Sequence, residues 1–417
     1  MRNALKISIV LLFSLHFVHT NAQSPTTTII MNGTIHIGNG QLIDEGVVVI
    51  EQGKIKEVGK SLKSLYKNAR VIDAKGKHVY PGLVCMNNIM GLNEIDAIRS
   101  THDYNEQGEM NPNVRSLIAY NTDSKILPTA MFNGILYTQP VPQGGMISGT
   151  SSLMKTQAWN WEDAVVKQDD GVHMYWPHFS STHEEANAEA EKQQKNIETF
   201  FVDAKAYAAQ KDLPFNARLD AMKGVLAGTK NLYIHTGEAK TMIRSITFLQ
   251  QNYPNVRPVI VGGQDAYLII DFLKANKIPV VLSNIHRLPS RNAEGIDQPY
   301  VTPSQLQKAG IMMALSYEGS WESRNLAYLA GTASAYGMDR EAALQAITLI
   351  PAQIMGVGDK IGSIEEGKDA SILIATGDLL DMKSSSLFLV FIDGKEVDLK
   401  VEQVKLYERY LKKYQLD

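Results

Sequence analysis

The chain has 417 residues, 20% of them charged, a net charge of −3 and a single cysteine, Cys85. That balance, with no basic stripe, excludes a nucleic-acid footprint, and one cysteine excludes an intrachain disulfide, so packing must supply the stability. The length exceeds the roughly 250 residues of a plain (β/α)8 barrel and leaves room for a second, smaller domain.

Residues 1–22 read as a secretory leader, in which Arg2 and Lys6 precede the apolar run Ile7 to Val18 and Thr20-Asn21-Ala22 ends in a small residue. A membrane span is the competing reading, but about 12 apolar residues fall short of the ~20 that cross a bilayer. Loss of Arg2 and Lys6 with the leader takes the net charge from −3 to −5. A soluble periplasmic or secreted bacterial protein is expected, not membrane-spanning and, with no cysteine directly following the leader, not lipid-anchored at the new N-terminus.

From Thr26 to Val79 short β runs alternate with glycine turns: Thr28 to Met31, Gly33 to Ile37, Gly46 to Ile50 and Gly53 to Gly59. Asn32-Gly33 and Gln52-Gly53 punctuate them as hairpins do. From Pro81 to about Lys360 buried strand-like runs alternate with amphipathic helices, the pattern of parallel βα units. The strands are Gly134 to Thr138, Leu232 to His235, Pro258 to Val261, Ile278 to Leu282 and Ile311 to Ser316. Helices are predicted at Glu184 to Gln210, Ala239 to Gln251, Gln264 to Ala275 and Arg324 to Ile347. Strand texture returns at Ala370 to Ile374 and Leu387 to Ile392. The expected fold is α/β: a (β/α)8 barrel over residues 81–360, and a small composite β domain of residues 23–80 and 361–400. Residues 401–417 carry Val401, Val404, Tyr407, Leu411 and Tyr414 at helical spacing, read as a helix packed on the β domain.

Val79-Tyr80-Pro81-Gly82-Leu83-Val84, the split β flanks and Gly362-Ser363-Ile364-Glu365-Glu366-Gly367-Lys368-Asp369-Ala370 together resemble the amidohydrolase superfamily, and imidazolonepropionase-like members in particular. The resemblance covers nearly all of the chain after the leader. It implies hydrolysis of C–N bonds in cyclic amides, ureas or dipeptides, with one or two divalent ions at the C-terminal strand ends activating water and a carboxylate shuttling protons. It also implies that the first strand ends in Pro-Gly-Leu-Ile-Asp-x-His-x-His. Here the Asp position is Cys85, the first His is Asn87 and the second is Ile89, a set that binds zinc poorly or not at all.

By the same resemblance His235 looks like the fifth-strand histidine ligand, a satisfied core histidine being the other reading. Gln264 follows the sixth strand, where relatives carry a histidine. Glu318 is the carboxylate nearest the eighth-strand proton shuttle, or else the partner of Arg324. Lys155 could stand where relatives have a lysine, sometimes carbamylated to bridge metals, or be a surface lysine. His286, with Arg287 and Arg291, lies in a loop beyond the seventh strand and could contact a substrate, the arginines holding a carboxylate. The segment from Trp159 to His183, with His173 and His178, reads as an aromatic lid or interface. Cys85 reads as a buried small side chain, since no partner base is identifiable.

Two functions follow. One is a catalytically impaired amidohydrolase relative that keeps the barrel as a binding surface for a small molecule or dipeptide, alone, as a homo-oligomer or beside a catalytically intact paralogue. The other is an active hydrolase with a mononuclear or rearranged site that uses His235 and Glu318, and zinc or another divalent metal belongs to this alternative.

Overall fold

The computed structural model describes residues 27–179, 184–210 and 212–416. The leader reading of residues 1–22 and the histidine at 183 fall outside them. Five strands come first: β1 (Thr27–His36), β2 (Leu42–Glu51), β3 (Lys54–Gly59), β4 (Arg70–Asp73) and β5 (His78–Pro81). Eight more follow as β6 (Leu83–Asn88), β7 (Ile135–Pro140), β8 (Ile147–Lys155), β9 (Val165–Tyr175), β10 (Asn231–Thr236), β11 (Arg257–Gly262), β12 (Val280–Ser283) and β13 (Met313–Ser316). β14 (Ile372–Ala375), β15 (Leu387–Ile392) and β16 (Lys395–Glu396) return to the first group.

The first and last groups form one sheet in the order β16-β15-β14-β5-β1-β2-β3, with β4 beside β1. Its seam is the antiparallel pairing of β5 with β14, which sets Tyr80 opposite Leu373. Register shifts in β1 on either side of Gly33 bring Ile30 and Ile35, five residues apart, to one core shared with Val48, Ile55, Ile372, Ile374 and Phe391, so both ends of the chain bury one apolar face. The Gly362 to Ala370 segment is a clamp of turns: Ile364 N–H donates to the Ile37 carbonyl at 2.7 Å and Gly367 N–H to that of Ile55 at 2.8 Å.

The middle strands form an eight-stranded sheet in the order β13-β12-β11-β10-β9-β8-β7-β6. It curls into a nearly closed barrel, with Ser316 Oγ of β13 donating to the Met86 carbonyl of β6 across the gap. Not every strand is parallel, as the βα pattern led one to expect: β8 runs antiparallel to both β7 and β9. Residues 165–175 of the expected lid are therefore barrel wall.

Other expectations shift in detail. The helix expected from Gln264 is a 3-10 turn followed by Ile270–Ala275, and that expected from Arg324 breaks into Leu326–Ala335 and Arg340–Gln345. The helix Glu402–Tyr414 forms, with Val404 and Leu411 half-buried and none of its residues fully buried. No helix among the described residues is long and apolar enough to cross a membrane.

The two lobes meet at a ring cluster. His36 of β1 contacts Glu341 of the helix Arg340–Gln345 through Nδ1 at 2.7 Å and His78 of β5 through Nε2 at 3.0 Å, while its ring stacks on Tyr80 at 4.2 Å. Arg340 and Asp378 form an ion pair beside it.

Candidate functional site at the barrel mouth

The C-terminal ends of β6, β10, β11, β12 and β13 bring Asn87, His235, Gln264, Ser283 and Glu318 to one rim. Asn87 is buried and takes a left-handed conformation, φ 48°, which asparagine tolerates better than most residues. Its backbone N–H donates to Gln139 Oε1 at 3.0 Å and its amide reaches Ser283 Oγ at 3.4 Å, so it bridges the first and seventh strands. Ile89 lies half-buried beyond it and offers no donor atom. Cys85 is fully buried, and burial pushes its thiol up, so it is a packed thiol and no nucleophile.

Beneath the rim a polar lattice fills the barrel. Asp170 of β9 accepts from Tyr233 Oη at 2.6 Å, Ser151 Oγ at 2.7 Å and Gln139 Nε2 at 3.1 Å. His173 joins Ser151 Oγ through Nε2 at 2.8 Å and His235 Nε2 through Nδ1 at 2.9 Å. Tyr233 stacks on His173, and Tyr175 stacks on His235 at 4.2 Å. Asp170, Tyr233, Ser151, Gln139, His173 and His235 each have at least one hydrogen-bond partner within the lattice, as burial demands. Burial pushes the Asp170 carboxyl up, against the three donors and nearby Lys167. Burial, and then the neighbouring His235, holds His173 far below the ordinary imidazole range, while burial takes His235 down to about 3. Both rings are neutral at physiological pH.

Several sequence candidates stand elsewhere. Lys155 ends the reversed strand β8, so it lies at the far end of the barrel, in an ion pair with Asp393 of the small domain. It cannot bridge metals at the rim. Arg287 is held by Glu294 at 2.6 Å, and Arg291 by Asp265, with a second contact at 2.8 Å, so neither guanidinium is free to clamp a carboxylate. His286 has both nitrogens engaged, with Tyr317 Oη and Thr332 Oγ1, each at 2.7 Å. Glu318 is exposed, and its charge, after burial, helps raise the phenol of Tyr175, the ring that covers His235. It does not pair with Arg324, which lies over the Trp321 ring at 6.0 Å. Gln264 Oε1 is buried without a partner among the described residues, directly over Gly237, where an added Cβ would meet it at 2.0 Å.

The donor set does not fit a divalent metal. Among the described residues no three His, Cys, Asp or Glu side chains converge to hold one, and His235 already commits Nε2 to His173. Sequence reasoning missed Gln139, Ser151, Asp170, His173 and Tyr233 as one unit. The readable trace was the period-two spacing of His173 and Tyr175, and of Tyr233 and His235, inside apolar strands; Gln139 and Ser151 left none.

The family model described as the amidohydrolase family matches residues 172–397. Amidohydrolase tasK of Hapsidospora irregularis is 29% identical over 115 residues, a match that covers 24% of this chain and only 11% of that protein. The solved amidohydrolase from Thermotoga maritima MSB8 superposes with a TM-score of 0.78 at 25% identity, over 89% of this chain and 99% of that one. A prolidase complexed with N-methylphosphonate-L-proline superposes with a TM-score of 0.57 at 16% identity, over 89% and 100%.

Proposed function

Because the chain belongs to the amidohydrolase family, we propose that it is a ligand-binding member of that family that no longer hydrolyses through a metal centre. The observation that carries this reading is the first strand end, where Asn87 is spent on Ser283 and Ile89 presents an alkyl group. Fold alone does not supply activity; the site does. In a family that reacts through metal-bound water, removal of first-strand imidazoles removes the means of lowering that water's pKa. The barrel interior is filled instead by a self-satisfied polar lattice, and the rim keeps His235, Gln264 and Glu318 for contact with a small molecule. The prolidase likeness supports an amide or dipeptide as the kind of compound bound.

Metal analysis of the purified full-length protein tests this. Substoichiometric zinc, manganese and iron are expected; a tightly held equimolar metal that His235→Ala removes would return the protein to the hydrolases. The leader reading of residues 1–22 assigns the protein to the periplasm or the medium, and N-terminal sequencing of the secreted form should begin at residue 23. Pairing with a catalytically intact paralogue or with a second copy is the natural use of an impaired barrel, and co-purification that yields only monomer would remove it.

A further inference from the structure

With Asp170 ionised, held by three donors, the hydrogen bonds inside the barrel set where each remaining proton sits. An ionised carboxylate only accepts, and Asp170 takes Tyr233 Oη–H, Gln139 Nε2–H and Ser151 Oγ–H, at 2.6, 3.1 and 2.7 Å. Ser151 has one hydroxyl proton, and Asp170 receives it. Its lone pairs therefore face Gln139 Nε2–H at 3.1 Å and His173 Nε2 at 2.8 Å, so His173 carries its proton on Nε2. A neutral His173 protonated there is an acceptor at Nδ1, and the proton in its 2.9 Å contact belongs to Nε2 of His235. That leaves the His235 lone pair on Nδ1, which has no partner among the described residues.

We propose that Asp170, through Ser151 and His173, is a positioning chain that holds His235 as the Nε2–H tautomer, so that the mouth offers acceptors and takes a cationic small molecule rich in N–H donors. The other uncommitted groups at the rim have the same polarity. Gln264 Oε1 is a buried acceptor without a donor among the described residues. Glu318 is an exposed carboxylate with no ion pair among the described residues, beside the Tyr175 ring that stacks on His235. The cations that would have favoured an anionic ligand, Arg287 and Arg291, are neutralised by Glu294 and Asp265. The ligand class rests on the binding reading above; the tautomer rests on the lattice with Asp170 ionised.

Long-range proton–nitrogen NMR of the full chain labelled with 15N-histidine, with the His235 signals assigned by His235→Gln, reads the tautomer directly. At neutral pH His235 should be protonated at Nε2 and bare at Nδ1. Ser151→Ala should let both tautomers coexist, and Ser151→Thr, which keeps the hydroxyl, should restore one. A wild-type His235 protonated at Nδ1 would mean a protonated Asp170 and a reversed chain, and would overturn the proposal; so would a Ser151→Ala spectrum identical to wild type. Calorimetric titration tests the ligand class with lysine methyl ester against N-acetylglutamate. The cation should bind, and Glu318→Gln should weaken it by about tenfold or more, the loss of one charge-assisted hydrogen bond. Preference for the anion, or binding of neither, overturns the ligand class. Equimolar metal with turnover would sink the functional reading and leave the tautomer result standing.

Discussion

Glu294 has a side chain only 1% exposed, and Arg287 lets it stay ionised there. Burial pushes this carboxyl upward, but Arg287 together with the N–H and hydroxyl of Ser290 outweighs burial and holds it below the ordinary carboxylate range. The pair's stabilisation is therefore present above the unfolded value near 4.3 and is lost as pH falls through the folded one. Arg287→Ala should cost about 3 kcal/mol in urea unfolding, because it strands a buried charge. If Arg287 were instead a ligand clamp, the variant would keep its stability and lose only binding. Sequence alone marks Arg287 and Arg291 as cations in a loop near the site, but it does not show that Glu294 and Asp265 already satisfy them. That is decided by how the loop beyond β12 folds back. Asn87 and Ile89 were legible because their positions are fixed by the Pro81-Gly82-Leu83-Val84 run just before them. His173 was not, since its meaning depends on Ser151 and Asp170, which reach it through a reversed strand.

At the level of elements, what could be read were segments whose period matched one environment. The runs Leu232 to His235 and Pro258 to Val261 are almost wholly apolar and become β10 and β11. β8 and β9 escaped because Thr150, Ser151, Ser152, Asp170 and His173 are buried polar residues, and burial of hydrogen-bonded groups erases the apolar signal on which a strand is recognised. The helix Glu402–Tyr414 errs the other way, with a clear amphipathic spacing whose Tyr407, Tyr410 and Tyr414 remain exposed. A chain ended after Val401 should lose no more than about 1 kcal/mol, a shift of about 2 °C or less in thermal midpoint for a protein this large. A much larger drop would mean that the helix packs on the β domain after all.

For the whole molecule, acid is the sensitive variable. Burial, and then His36, lowers His78 at the lobe interface, while burial also lowers His173 and His235 in the barrel. Each folded value lies below the unfolded imidazole value near 6.5, so below that pH the unfolded chain binds more protons. Stability is thus fully present above about pH 6.5 and falls as pH drops through it; for His235 the loss runs down to about 3. Urea midpoints should be lower at pH 5 than at pH 7, and His78→Gln should narrow the gap; equal midpoints would show that these rings take up protons without cost. The seam between β5 and β14 has a consequence in time. Tyr80 meets its partner Leu373 only after roughly 290 further residues have been added, which at ~5–20 residues per second takes roughly 15 to 60 s of synthesis. Throughout that interval the edge of β5 has no neighbour, and the emerging chain must be shielded from pairing with another copy until its own C-terminal strands arrive.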